Sequence, residues 1–522
     1  MTTDRPRHLG SWAAYLWTTV LFPGRSAEPT ATRRSAILIL LFLPALLLYP
    51  TLNFRLLEPD EGRYAQIPRE MLARGEWVVP TLQGQPYLDK PPLLYWLVMA
   101  SYSVFGVSEA AARLIPAIAT HLTILLVYLI GRRSLGERSA FWGALLLGIT
   151  PGFVGMGRLL IMDGLLTMWV TLALLAGFEA VRGPTLRRGW WYLAAVACGF
   201  GVLTKGPIPL ILLAPPMLMH GWLTGQRAAI GWKHVVGFLS VVLLVNLPWY
   251  AGIFLRQPVF LRYFFWEHNI MRFIKPFDHL EPVWFYMPVM LAGLLPGTLL
   301  LLAFARHLMS GDESLARTRT PELGFWLLAG GWCVLFFSLS GCKLPTYVLP
   351  AFPCLLLALG DFVAKTRWQS AWQTRTGVTC SAALMVFAFY VAIPWYADLR
   401  SPMGPPAVAD KLLASNNETI YCFPRNVDSV AFYTGRDDLK SMRSKQSQEL
   451  IETLMTQDHA VVLFTHRHSL ESFKAVLPPQ LMVAEATPVR HRGTGANFLD
   501  KIVGDGPWGL CDVAVIQKVP KR

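Results

Sequence analysis

Few charged side chains interrupt the apolar runs of this sequence, and those that do could bind phosphate, move a proton or hold a metal. Asp60 and Glu61 are adjacent, directly after the first long apolar run. On a helix they would point about 100° apart, so only one faces a given partner. Either can act as a base or pair with an arginine, and either can simply cap the helix expected from about Tyr64. Asp163 is the only carboxylate between Glu137 and Glu179. A charge at mid-membrane is costly and marks a functional position. Capping the next helix or pairing with Arg158 are the plainer explanations. Lys90 precedes Pro91-Pro92, a stiff local chain, and can meet a lipid phosphate as a point charge. Arg272, with Arg256 and Arg262 nearby, can do so through its planar fork; general attraction to anionic headgroups would explain the same residues. His268 beside Glu267, together with Asp89, offers hard and borderline ligands for a divalent ion, without a strict metal-binding spacing. Lys343 and Tyr347 flank Leu-Pro-Thr at the start of an apolar run, where a snorkelling lysine and an interfacial tyrosine are the simpler reading.

The elements that must position these residues are membrane helices. Of 522 residues, 53% are hydrophobic and 15% charged, against about a quarter charged in a soluble chain. Repeated apolar runs predict about eleven transmembrane helices, at about 36–53, 112–131, two within 140–181, then 190–203, 207–223, 234–254, 284–305, 323–340, 345–360 and 376–396. Arg33-Arg34 before the first run reads as the flank of a retained helix. Trp12 and Trp17 hint at an interfacial helix in the basic segment 1–35. Residues 140–181 are apolar for roughly two spans, so a tight turn near Arg158 and Asp163 would take both out of the bilayer centre. Leu93 to Phe105 is too short to span and reads as a surface helix.

Alternating these spans sorts the basic loops to the cytoplasm and the loops 54–111, 158–163, 204–206, 255–283 and 341–345 to the opposite face. The net charge of +14 thus sets orientation and is no sign of nucleic acid. From about 397 the composition turns polar. Short runs at Thr419–Phe423, Ala460–Phe464 and Val513–Gln517, with a helical stretch at Gln446–Leu454, predict a small soluble α/β domain over 397–522, which the odd number of spans puts on the periplasmic side. Cys422 and Cys511 can form a disulfide if that domain lies outside the cytoplasm. No nucleotide-binding glycine pattern occurs, so no nucleotide cofactor is expected; a transferase donor would arrive as a lipid.

The ordered set PDEGRYAQIPREML, YLDKPPLLYW, MDG, TKGP, YFFWEHNIMRF and CKLPTY, over roughly residues 36–360, resembles the bacterial aminoarabinose transferases that modify lipid A. These are grouped with the protein O-mannosyltransferases in the GT-C class. The resemblance implies a polyprenyl-phosphate-dependent glycosyltransferase of the bacterial inner membrane with a periplasmic active site. It implies catalytic roles for Asp60 and Asp163. Substrate contact is implied for Tyr87, Lys90, Arg272 and Tyr347, with Glu61 and Lys343 beside them, and metal ligation for Asp89 and His268. Asp89 stands where stricter members have Glu, and the Glu-His pair is displaced by one residue relative to Arg272. Three readings follow: transfer of aminoarabinose or a related sugar to lipid A, the same chemistry on a protein hydroxyl or surface glycan, and lipid transport without chemistry. Transporters place polar groups near the midplane, whereas here they gather at one expected face.

Overall fold

The computed structural model describes residues 29–225, 230–275, 279–404, 406–415, 418–465, 469–487 and 512–519. The expected helix at Trp12 and Trp17 and the partner Cys511 of a Cys422 disulfide lie outside these residues. The chain divides into two compact units, residues 1–50, 116–251 and 261–386 forming the first, and 51–115, 252–260 and 387–522 the second.

The protein is mostly helical. Among the described residues five helices are long and apolar enough to cross a membrane: Glu109–Leu135, Met162–Val181, Trp232–Arg256, Pro321–Leu339 and Trp372–Arg400. Two bent pairs raise this to seven if each is one span: Glu137–Gly148 with Pro151–Gly157, bent by 61°, and Val283–Gly293 with Gly297–Met309, bent by 99°. Both breaks fall at Pro-Gly-bearing sequence, Thr150-Pro151-Gly152 and Leu295-Pro296-Gly297, where a missing amide and an absent side chain weaken helical continuity. Ile208–Thr224 and Leu93–Phe105 are shorter apolar helices. The first of the two spans expected within 140–181 and that expected at 284–305 are therefore broken helices. The polar stretch 255–283, expected as a loop, is largely helical, with Arg262–Met271 in π geometry running into Arg272–Ile274.

In the first unit the turn before Asp163 is as expected: four residues separate the end of the Pro151–Gly157 helix from the start of Met162–Val181. The turn closes because a Cβ on Gly164 would stand 2.4 Å from the Gly157 carbonyl oxygen. Arg158 and Asp163 are buried in the protein, at 0% and 6% exposure.

In the second unit Asp60–Arg74 is a helix ended by Gly75 in the left-handed conformation. A two-residue hairpin follows, β1 (Thr81–Leu82) and β2 (Gln85–Pro86). Five further strands, β3 (Ile420–Phe423), β4 (Lys440–Ser441), β5 (His459–Phe464), β6 (Leu481–Thr487) and β7 (Asp512–Lys518), form one sheet ordered β4-β3-β5-β7-β6. β3 runs parallel to β4 and β5, and β7 antiparallel to β5 and β6. Strand alternation sends Ile420, Cys422, Val461 and Leu463 to one core with Val408, Leu412 and Val430. Tyr421, Phe423, Val462 and Phe464 go to a second core with Leu450, Leu454 and Phe473. The central strands β3 and β5 are covered on both faces, as their continuous apolar runs require.

Candidate active site

In the first unit the chemistry centres on Asp163. It lies in the first turn of Met162–Val181, where the positive end of the helix dipole favours a carboxylate. Its Oδ1 accepts from Lys205 Nζ at 2.6 Å, with side-chain exposures of 9% and 15%. The partner is thus Lys205, at the end of the Arg188–Lys205 helix, and not Arg158, whose guanidinium reaches the Leu47 carbonyl at 3.5 Å. The ammonium also lies over the Tyr347 ring, 4.4 Å from its centroid. Asp163, Lys205 and Tyr347 form one group, with the Tyr347 hydroxyl 3.9 Å from Cys342 Sγ. Lys343 is 3% exposed and donates to the carbonyls of Glu281, at 2.8 Å, and Ser340. It ties two backbone segments together. Arg272 NH1 lies 3.4 Å from His268 Nε2, one helical turn away, and His268 stacks on Phe264.

In the second unit the adjacent acids divide, as their angular separation requires. Glu61 is 2% exposed and held by Arg113 through Nε–Oε1 at 2.8 Å and NH2–Oε2 at 2.6 Å, a bidentate pair. Arg113 also donates to the carbonyls of Leu52, Phe54 and Arg55. Glu61, which also accepts from the Leu57 amide at 2.9 Å, thereby ties the start of the helix to Arg113. Asp60 retains 46% side-chain exposure beside Arg63, 3.6 Å away. Arg63 in turn lies 3.8 Å from Asp428 and 5.9 Å from the Tyr87 ring centroid. Glu58 Oε1 accepts from the Ser429 amide at 2.6 Å, while its Oε2 is sealed from solvent with no hydrogen-bond partner among the described residues. Burial, then the Asp428 charge, push the Glu58 carboxyl up to about 8; burial raises Asp428 to about 6.

Tyr87, Asp89 and Lys90 follow the hairpin, all half-buried. Their position is set by Glu70, a 2%-exposed carboxylate that accepts from the turn amides of Gln83 at 2.8 Å and Gly84 at 3.2 Å. Gln83 and Gly84 have φ of 52° and 73°, so their amides converge on one anion. The Tyr87 amide donates to the Pro80 carbonyl at 2.7 Å and closes the loop. The nearby Tyr95 hydroxyl is fully buried, with no hydrogen-bond partner among the described residues.

Sequence reasoning missed Lys205, Arg63, Arg113 and Asp428 as members of these clusters. Lys205 belongs to the TKGP motif, but nothing local ties it to Asp163, 42 residues earlier. As for a metal, no group of three or more His, Cys, Asp and Glu gathers among the described residues, and His268 has a cation beside it.

A family model described as dolichyl-phosphate-mannose-protein mannosyltransferase matches residues 89–251. The undecaprenyl phosphate-alpha-4-amino-4-deoxy-L-arabinose arabinosyl transferase 1 of Pseudomonas fluorescens (strain Pf0-1) is 36% identical over 357 residues, 66% of this chain and 60% of its own length. The enzyme of the same name from Pseudomonas savastanoi pv. phaseolicola is 35% identical over 383 residues, 71% of this chain and 68% of its own. The match to the Edwardsiella ictaluri relative spans 55% of that protein, so this chain aligns with little more than half the length of several relatives. In fold, it resembles the crystal structure of ArnT from Cupriavidus metallidurans bound to undecaprenyl phosphate, with a TM-score of 0.70 at 19% identity, over 92% of this chain and 97% of that one. The extent of the Pseudomonas savastanoi match, joined to the motif order and the shared helical architecture, places the chain in the undecaprenyl phosphate-4-amino-4-deoxy-L-arabinose arabinosyl transferase family, a group of multi-pass membrane proteins.

Proposed function

We propose that this protein is an inverting membrane glycosyltransferase that moves 4-amino-4-deoxyarabinose from undecaprenyl phosphate to a phosphate of lipid A at the periplasmic face of the inner membrane. The observation that carries this reading is the 35% identity to a named arabinosyl transferase across 71% of the chain. The local chemistry of each cluster agrees with it. In the transfer, the bond from the anomeric carbon to the carrier phosphate breaks and a bond to the acceptor oxygen forms on the opposite face. The carrier leaves as undecaprenyl phosphate.

A leaving phosphate needs cations, and stabilising charge as it develops is a large catalytic contribution. Lys90 and Arg272 are proposed to supply it, Lys90 as a compact charge and Arg272 as a fork. Asp163, held rigid by Lys205, and Asp60, beside Arg63, are proposed to orient the acceptor and the sugar amine. A phosphate acceptor is already anionic and needs placing more than deprotonation. Tyr87 and Tyr347 are proposed to line the donor. The divalent ion implied for Asp89 and His268 remains a proposal of the resemblance alone, and no step depends on it. The proposed architecture keeps about eleven spans, the soluble character of residues 397–522 and a periplasmic site.

The match of residues 89–251 to protein mannosyltransferases favours a second reading, with a protein hydroxyl as acceptor and Asp60 or Asp163 as its base. Mass spectra of lipid A from cells with and without the protein separate the two. The expected result is one aminopentose added per modified phosphate, absent with Asp60→Asn at unchanged membrane abundance. Unmodified lipid A would remove the first reading.

A further inference from the structure

At the far end of the helix that carries Asp163, one carboxylate collects three arginines. Glu179 is 1% exposed. Arg133 Nε lies 3.1 Å from it, Arg182 Nε 3.3 Å and Arg187 NH1 3.3 Å. They come from three places: the end of Glu109–Leu135, the residue closing Met162–Val181, and the residue preceding Arg188–Lys205. One acid cannot neutralise three bases, and two positive charges are left over. Helix dipoles account for little of this. Two helix C-termini and one N-terminus meet here, a sum of about half a negative charge.

The leftover donors are also arranged. Glu179 fixes Arg133 through Nε and Arg187 through NH1, and the remaining nitrogens of both have no protein partner among the described residues. These two side chains are 44% and 43% exposed. Arg182 donates to the Arg133 carbonyl. The Arg133 guanidinium lies 5.3 Å from the Trp190 ring centroid, an aromatic of the kind that settles at a membrane interface. Glu179 stands 16 residues from Asp163, roughly 24 Å along the helix axis, close to a hydrocarbon thickness.

We propose that Arg133 and Arg187, held by Glu179, form a binding site for the phosphodiester headgroup of an anionic phospholipid, at the membrane face opposite Asp163. The site is independent of the transfer proposed above. Paired planar forks match phosphate oxygens, and Trp190 would rest at headgroup depth.

The test uses the full-length protein in neutral detergent, following its thermal midpoint and lipid retention by native mass spectrometry as phosphatidylglycerol, phosphatidylcholine or inorganic phosphate is added. Phosphatidylglycerol should raise the midpoint and stay bound, phosphatidylcholine should do neither, and inorganic phosphate should act only at far higher concentration. Arg133→Gln and Arg187→Gln should each weaken phosphatidylglycerol binding about tenfold. Arg132→Gln, which removes an equal charge paired with Glu137 instead, should leave it unchanged. An equal loss in Arg132→Gln, equal binding of phosphatidylcholine, or undiminished binding in both site variants would overturn the site. If one site variant fails to fold, the other carries the comparison.

Discussion

Asp60 and Glu61 are neighbours with opposite assignments, and the difference is measurable. Glu61→Gln would leave the Arg113 guanidinium, fully buried, without its anion, at a cost of about 3–5 kcal/mol. A clearly lower thermal midpoint is expected, along with reduced transfer. Asp60→Asn removes a carboxylate that is 46% exposed, so its midpoint should stay within about 0.5 kcal/mol of wild type while transfer is lost. Matching midpoints in the two variants would dissolve the division of labour. That two adjacent acids must diverge was legible from helical geometry alone. Which one turned inward was not, because Arg113 lies 52 residues away and leaves no mark on the local pattern. Lys205 was hidden from Asp163 for the same reason: ion pairs between distant segments are decided by packing, and a lone basic residue at a helix end is equally what the dipole would ask for.

Among the elements, the turn ahead of Asp163 is the most constrained. Gly164→Ala would drive a methyl to 2.4 Å from a backbone carbonyl, a contact no rotamer relieves, so the turn must open and Asp163 must move from Lys205. Activity should fall at least tenfold with a measurable drop in thermal midpoint. Gly189→Ala, whose added Cβ meets nothing within 4 Å, is the matched control and should be neutral. A neutral Gly164→Ala would mean that the close approach to the Gly157 carbonyl is not required. At this scale periodicity and composition were informative. The Asp60–Arg74 helix and the strands at Ile420–Phe423, His459–Phe464 and Asp512–Lys518 stand within a few residues of where the apolar patterns put them. The π-helix at Arg262–Met271 and the 99° break after Gly293 escaped. Hydropathy is the same on both sides of a bend, and polar residues mid-run look like a loop whether or not the backbone stays helical.

For the second unit as a whole, Glu58 and Asp428 set a pH dependence. Both carboxyls are raised from unfolded values of 4.5 and 3.8, to about 8 and about 6. The charged groups facing them are Arg63, which favours their ionised forms, and Glu70, which opposes that of Asp428. The folded state therefore holds protons that the unfolded chain releases. Their contribution is complete below about pH 4 and is lost as pH rises through about 6 and then about 8. The thermal midpoint should fall between pH 5.5 and 9, by a few degrees on the order of 1–2 kcal/mol. Glu58→Gln should flatten the upper part of that fall and lie above wild type at pH 9; parallel curves would refute the assignment. Residues 109–135, 162–181 and 232–256 were also legible as membrane helices from hydropathy alone, but the number of crossings was not, since helices such as Ile208–Thr224 and the bent pairs fall short of a straight span. Met162–Val181 carries Asp163 near its first residue and Glu179 near its last, like a shaft with a fitting keyed at each end. Adding or deleting one residue midway would rotate one fitting by about 100° against the other. Its length is thus fixed by two separate sets of partners, Lys205 at one end and three arginines at the other, and no such change can suit both.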